Sequence, residues 1–379
     1  MEIAHVDAVP LRRELDERFA NAQKWIDARE YCLVRIETRD GTVGWGECWG
    51  PIAGNRELIA THIGPWLVGK DLTNREALID ELRFRLESAY HSYVPASVVS
   101  GVDMALWDAY GRAVDASVAA LLGGRRRETV RAYATGHFFR PVETVAELKA
   151  IVADEAAAHV DAGFDALKQK IGLERHFGWG PDADLALVAA VRERVGTDVT
   201  LMVDANHAYD RPTATYVARG LTELDIAFFE EPVPPRIDTY RHLHPAVEVP
   251  IATGECFAFT DPFRQLIDAG AIEYAQPDVT SAGGITSTMR IARLAHAADV
   301  PCYPHVFGSA IALAASLQVL AAIPGRPLLE FDRTPNPIRD ELARTPIDHE
   351  GPAVSIPDGP GIGIRIDADV LDRYRVDRG

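Results

Sequence analysis

The chain has 379 residues, 47% of them hydrophobic and 25% charged, an ordinary globular balance with enough apolar mass for one large domain or two smaller ones. A formal net charge of −17 argues against a nucleic-acid partner, which needs clustered Lys and Arg, and no apolar run reaches the ~18 residues of a membrane span. The opening MEIAHVDAVPLRREL is neither a signal nor a transit peptide, and four dispersed cysteines form no CxxC pair, so a cytoplasmic protein with reduced thiols and no membrane partner is expected.

In chain order, the first forty-five or so residues read as strands. The alternating run YCLVRIETRDGTVGWGE turns at Asp40 and Gly41 and predicts a hairpin. The following stretch is helical. SGVDMALWDAYGRAVDASVAALLGG places Val102, Ala105, Leu106 and Ala109 on one face and stops at Gly123 and Gly124. Residues 1–125 are therefore expected to form an α+β unit. Beyond it, short apolar runs alternate with amphipathic stretches: VRAYATG, DALKQKI, VTLMVDAN, IAFFEEP, PIATGE, IEYAQPD, PCYPH and PLLEFD. Eight such runs with helices between them predict a parallel (β/α) barrel over residues 126–350. The last segment, 351–379, is Gly/Pro-rich and then strand-like. It comes too late for a ninth barrel element and is expected to return to the first unit.

The residues that end these runs carry the chemistry. Lys170, Asp204, Glu230, Glu255, Asp278, His305 and Glu330 are separated by 34, 26, 25, 23, 27 and 25 residues, close to one βα unit each. In a parallel barrel they converge on the C-terminal face of the strands, where barrel active sites lie. Asp204, Glu230 and Glu255 close three consecutive strands. Three carboxylates crowded there repel one another unless a cation sits between them, and an oxygen-only donor set suits Mg²⁺ rather than Zn²⁺. Lys170 and His305 flank that triad as two candidate bases, with Asp278 placed to hydrogen-bond the far nitrogen of His305 and fix its tautomer.

The chain has five lysines against thirty-four arginines, and two of the five lie two residues apart in DALKQKIG. On a strand that spacing points Lys168 and Lys170 to the same face. Mutual repulsion is expected to lower the pKa of Lys170 toward a value useful for a base, leaving Lys168 charged to hold an anionic substrate.

These motifs together resemble the mandelate racemase group of the enolase superfamily: KxK at 168–170, VDAN with Asp204 and Asn206, FFEEP with Glu230, TGE with Glu255, QPD with Asp278, PHVFGS with His305 and LLEFD with Glu330. The helix ALWDAYGRA and the closing IPDGPGIGI are also similar, so the resemblance covers nearly the whole chain. It implies a (β/α)7β modified TIM barrel with an α+β capping domain built from the N-terminal part and the C-terminal tail. It also implies a shared half-reaction, in which Mg²⁺ on Asp204, Glu230 and Glu255 binds a substrate carboxylate, a base removes the α-proton and the metal stabilises the enediolate. By the same resemblance Lys168 touches the carboxylate, Lys170 and His305 serve as base or acid on opposite faces, Asp278 orients His305, and Glu330 donates a hydrogen bond and so carries a proton. Homo-oligomers are common in the family, and one is expected here.

Within the group, RAYATG, DANHAY, EEPVPP and LLEFDRTPNP are most similar to galactarolactone cycloisomerases and acid-sugar dehydratases. Asn206, His207, His137 and Arg140 are additional polar groups near strand ends, suited to a hydroxyl-rich substrate. The capping loops RFANAQKWIDAR and CWGPIAGNR, with Asn21, Gln23 and Trp25, are the expected seat of specificity. The leading expectation is dehydration of an acid sugar, a small-molecule carboxylate. Lactone cycloisomerisation and racemisation use the same Lys170 and His305 pair and stay open. A barrel hydrolase would need an HxH pair after the first strand, where only His137 stands, and a non-catalytic metabolite-binding barrel would be expected to have lost one base, yet both are present.

Overall fold

The computed structural model describes residues 1–89 and 95–376. Strands β1 (Ile3–Ala20), β2 (Trp25–Thr38) and β3 (Val43–Cys48) form one antiparallel sheet. The expected turn joins β2 to β3: Thr42 N–H donates to Asp40 Oδ1 at 3.2 Å and Gly41 adopts φ +84°. Helix Ala96–Ala113 lies on this sheet so closely that a Cβ on Gly46 would stand 1.9 Å from the Gly101 carbonyl oxygen. Only glycine permits that approach.

The helix ends earlier than the sequence pattern suggests. Asp115 takes the left-handed conformation, φ 52°, and Ala116 N–H closes back on the Gly111 carbonyl at 2.8 Å, so a separate short helix, Val118–Leu121, precedes the glycine pair.

The expected α/β fold with a parallel sheet and a capping domain follows. Strands β4 (Thr129–Thr135), β5 (Ala166–Lys170), β6 (Thr200–Asp204), β7 (Ile226–Glu230), β8 (Ile251–Thr253) and β9 (Tyr274–Ala275) pair in succession, each parallel to the next, and β10 (Leu328–Asp332) pairs with β4. The PCYPH run makes no full strand. It joins the edge through two isolated parallel bridges, Ala275 with Cys302 and Asp278 with His305. Pro301 and Pro304 explain this, since neither can donate a ladder hydrogen bond.

The tail does two things. Residues 353–355 pair antiparallel with β4, and residues 361–376 then meet the capping unit: Ile362 N–H donates to Asp108 Oδ1 at 2.8 Å and Val376 N–H to the Pro10 carbonyl at 3.1 Å. Its end is a helix, Ala368–Tyr374, and not a strand, because Asp367 caps it by accepting from the N–H groups of Asp369 and Val370.

Buried carboxylates fasten the capping unit to the helices of the parallel α/β unit. Glu47 on β3 accepts from Ser309 N–H at 3.1 Å and Ser309 Oγ at 2.5 Å, at the start of helix Ala310–Ala322. Asp103 accepts from Thr286 N–H at 2.9 Å and Thr286 Oγ1 at 2.6 Å, in the first turn of helix Gly284–Ala297. Both sit where a helix dipole favours negative charge. Among the described residues no helix is long and apolar enough to cross a membrane.

Candidate active site and metal centre

Period-two alternation builds the site in layers. Tyr133, Ala166, Met202, Phe228 and Ala252 form a buried apolar floor inside the strands, with Tyr274, Tyr303 and Leu328 packed against it. Two residues further along the same strands stand Lys168, Asp204, Glu230 and Glu330. Lys170 follows Lys168 on the same face. Register aligns the row, since Lys170 lies opposite Asp204 on β6 and Asp204 opposite Glu230 on β7. Lys168 and Asp204 are 0% exposed and Lys170 is 4% exposed, so each charge must find its partner inside the protein.

Lys168 Nζ bridges Glu230 Oε1 at 2.5 Å and Glu330 Oε1 at 2.7 Å, while Lys170 Nζ pairs with Asp204 Oδ2. Across the cluster, His305 Nδ1 lies 2.6 Å from Asp278 Oδ2, and Nε2 lies 3.1 Å from Glu255 Oε2. Asp278 is held in turn by Thr280, whose N–H and Oγ1 both donate to Oδ1 at 2.6 Å. With Nδ1–H given to Asp278, Nε2 is the nitrogen that faces the carboxylates. The edge of Trp49 closes over the imidazole at 5.9 Å.

Carboxylate oxygens of Asp204, Glu230 and Glu255 lie within 4.8 Å of one another and could hold a metal ion. The donor set is oxygen only, which fits a hard divalent cation. Unsatisfied acceptors surround it: Asn206 Oδ1, Gln276 Oε1 and Glu330 Oε2 are buried without a hydrogen-bond partner. A cation with its water, or a polyhydroxylated ligand, supplies what such atoms lack.

Protonation follows from these contacts. Burial and Lys168 both pull Lys170 down, yet Asp204 in contact and Glu255 and Glu330 nearby outweigh them and hold it above the ordinary ammonium range. Burial raises Glu330, but Lys168, His305 and Lys170 bring it below the usual carboxylate value. Both directions correct the sequence reading, which expected a lowered Lys170 and a protonated Glu330. The reason is the same in each: a counter-ion at contact distance dominates repulsion from a like charge further off. Elsewhere burial prevails and pushes Glu255 to about 7, with Glu231 adding to it. His305 stands at about 10, where Glu255, Glu330 and Asp278 override burial.

The other candidates lie around this core. Asn206 N–H donates to Asp204 Oδ1 at 2.8 Å, and the Asn206 carbonyl accepts from Gln23 Nε2, which brings the β1–β2 loop of the capping unit onto the end of β6. His137 is fully buried, with Nδ1 at 3.0 Å from the Lys168 carbonyl and Nε2 at 3.2 Å from His159 Nδ1, so its ring supports the lysine strand from behind. His207 meets Val233, Glu231 and Cys256. Arg140 reaches Glu155 at 3.3 Å, and Trp25 packs on His176 and Phe177. Two neighbours of the core were not singled out from sequence. Gln276 donates from Nε2 to Glu230 Oε2 at 2.5 Å, and its position two residues before Asp278, hence on the same face, was the available signal. Phe138, its ring 5.2 Å from Lys170 Nζ, belongs to an apolar cluster with Phe19 and Ile26, and Phe307 packs against it.

Comparison with known proteins agrees with this geometry. Residues 8–123 match the family "Mandelate racemase / muconate lactonizing enzyme, N-terminal domain", and residues 151–370 match "Enolase C-terminal domain-like". The chain is 39% identical to the D-galactarolactone cycloisomerase of Agrobacterium fabrum over 99% of both chains, and 33% identical to the arabinonate dehydratase of Saccharolobus solfataricus over 95% of both. Among solved structures, a racemase from Streptomyces coelicolor A3(2) with bound magnesium superposes with a TM-score of 0.86 at 27% identity, covering 99% of this chain and 100% of that one. The chain therefore belongs to the mandelate racemase and muconate lactonizing enzyme family of the enolase superfamily.

Proposed function

We propose that the protein abstracts the proton α to the carboxylate of an acid-sugar lactone or acid sugar and then expels the β-oxygen, with Mg²⁺ held by Asp204, Glu230 and Glu255. The observation that carries this reading is the approach of Lys170 Nζ, from β5, and His305 Nε2, from the PCYPH segment, to one carboxylate cluster, at Asp204 and at Glu255. A bound Mg²⁺ would supply Lewis-acid compensation for the charge gathering on the substrate carboxylate.

The side chains perform the proton chemistry. Lys168, between Glu230 and Glu330, is placed to bind the carboxylate. Lys170 is the base: once Asp204 is committed as a ligand, burial and the Lys168 charge act on it with less opposition, and both favour the neutral amine. His305 is the acid, delivering its Nε2 proton to the departing oxygen while Asp278 holds Nδ1–H. Asp278 and Thr280 are positioning residues. The apolar cluster around Phe138, whose ring lies 5.2 Å from Lys170 Nζ, gives the base a dry flank.

The leaving oxygen distinguishes two outcomes of one elimination. A ring oxygen gives cycloisomerisation, which the full-length match to the galactarolactone enzyme favours; a hydroxyl gives dehydration, which the arabinonate dehydratase match supports as the second reading. Aldonic and aldaric acids and their lactones, incubated with protein and Mg²⁺ in D₂O and followed by NMR, test the proposal. Ring opening to a 2-keto acid with solvent deuterium at the β-carbon, where the enol is protonated, is expected; dehydrated product would select the second reading, and neither exchange into substrate nor turnover across the panel would refute both.

A further inference from the structure

A second donor group lies beside the triad. His207 is three residues past Asp204, Glu231 one past Glu230, and Cys256 one past Glu255, so the same three strand ends supply it. An imidazole nitrogen, a carboxylate oxygen and a thiol sulfur here lie within 4.8 Å of one another. His207 Nε2 is 3.0 Å from Glu231 Oε1 and 3.2 Å from Cys256 Sγ.

One cation, the His207 imidazole, is held between these donors, and its Nε2 proton occupies the place a metal ion would take. His207 Nδ1 lies 2.8 Å from the Val233 carbonyl, which only a donor can satisfy, so Nδ1 keeps its proton and Nε2 is the nitrogen turned to Glu231 and Cys256. Glu231 is 1% exposed, and neither of its oxygens has a well-formed hydrogen bond. Burial pulls the imidazole down, but contact with Glu231 outweighs it and raises the ring to about 9, so a divalent ion would take the place of the Nε2 proton in a nearly dry space. Cys256, exposed at the rim, adds a soft third donor and leaves the outward position to water.

A nitrogen, an oxygen and a sulfur select a different ion from three carboxylates. Borderline divalent ions such as Zn²⁺ take this set, and separations of 3.0 and 3.2 Å approach the ~3.3–3.8 Å edges of a tetrahedron with ~2.0–2.3 Å bonds. Fixing the far imidazole nitrogen on a backbone carbonyl is also how metal-binding histidines are oriented. The cluster of His137, Glu155 and His159 offers a control within the same molecule. There both His137 nitrogens are engaged, and Arg140 lies 3.3 Å from Glu155, where it would repel a cation.

We propose that His207, Glu231 and Cys256 form a second metal site, for a divalent ion of the Zn²⁺ class, that ties together the chain just beyond β6, β7 and β8. Binding forms bonds to Nε2, a Glu231 oxygen and Sγ, and releases the thiol proton to solvent, with the Nε2 proton where the imidazole is charged. The site stands on its own donors and does not depend on which elimination the enzyme performs.

Co²⁺ added to the full-length protein already saturated with Mg²⁺ tests this directly. The expected result is one Co²⁺ per chain with a thiolate charge-transfer band in the near ultraviolet, displaced by Zn²⁺, absent in Cys256→Ser and needing at least ~10-fold more Co²⁺ in His207→Gln. Absence of the band, or its survival in Cys256→Ser, would overturn the site. A second measurement needs no variant. Zn²⁺, but not Mg²⁺, should slow alkylation of Cys256 by iodoacetamide at least ~10-fold; an unchanged rate would also overturn the proposal.

Discussion

Two groups among the buried carboxylates of the described residues are satisfied in opposite ways. Glu47 and Asp103, both from the capping unit, face backbone N–H groups whose positions the fold fixes, those of Ser309 and Thr286. Asp204, Glu230, Glu255 and Glu330, at the strand ends, face ammonium and imidazole groups on side chains, and unpaired oxygens remain among them. A fixed donor makes a dock. A displaceable cation makes a site, because metal and substrate can take its place.

The largest expected effects fall on the second group. Lys170→Met and His305→Asn should each lower kcat by ~10²–10⁴ while the melting temperature stays near that of the parent, measured by steady-state kinetics beside thermal unfolding. Removal of divalent ions with a chelator should silence turnover, and Mg²⁺ should restore it. The division between dock and site fails if the variants unfold and the chelated protein keeps working.

For the docks the order reverses. Glu47→Ala strands the Ser309 and Ala312 N–H groups and should cost about 1–3 kcal/mol of stability by urea unfolding, with a smaller loss of kcat than either site variant. A pH effect accompanies it. Burial raises Asp103 from 3.8 to about 7, so the folded state holds this proton more tightly than the unfolded state. Its contribution is therefore complete below about 3.8 and is lost as the pH climbs through about 7. In Asp103→Asn that part of the decline should vanish from the unfolding profile, and an unaltered slope would show that the carboxyl does not titrate in the fold. The smallest effect is expected at the loop between the groups: Gln23→Ala, losing one hydrogen bond to the Asn206 carbonyl, should raise KM by about fivefold with little change in kcat.

Much of this was legible in the sequence because the strand ends recur at even spacing and alternation aligns what they carry. Lys170, Asp204 and Glu230 share one register row for that reason. Ion-pair geometry was not legible. The sequence places Lys168 beside Lys170, but only the fold shows that Glu230 and Glu330 neutralise one and Asp204 the other, which reversed the expected shift of Lys170. The docks were hidden for a different cause: Glu47 and Ser309 are 262 residues apart, and no local pattern joins them. The second donor group was overlooked because His207, Glu231 and Cys256 each read as the neighbour of something more conspicuous.

The central claim is that Lys170 takes the α-proton and His305 delivers one to the departing oxygen. The direct test is single-turnover NMR in D₂O, with Mg²⁺ and a substrate identified by the panel, on Lys170→Met and His305→Asn side by side. The account predicts α-deuterium exchange without net conversion in His305→Asn, and neither exchange nor conversion in Lys170→Met; net conversion surviving in either variant, or exchange surviving in Lys170→Met, would contradict it.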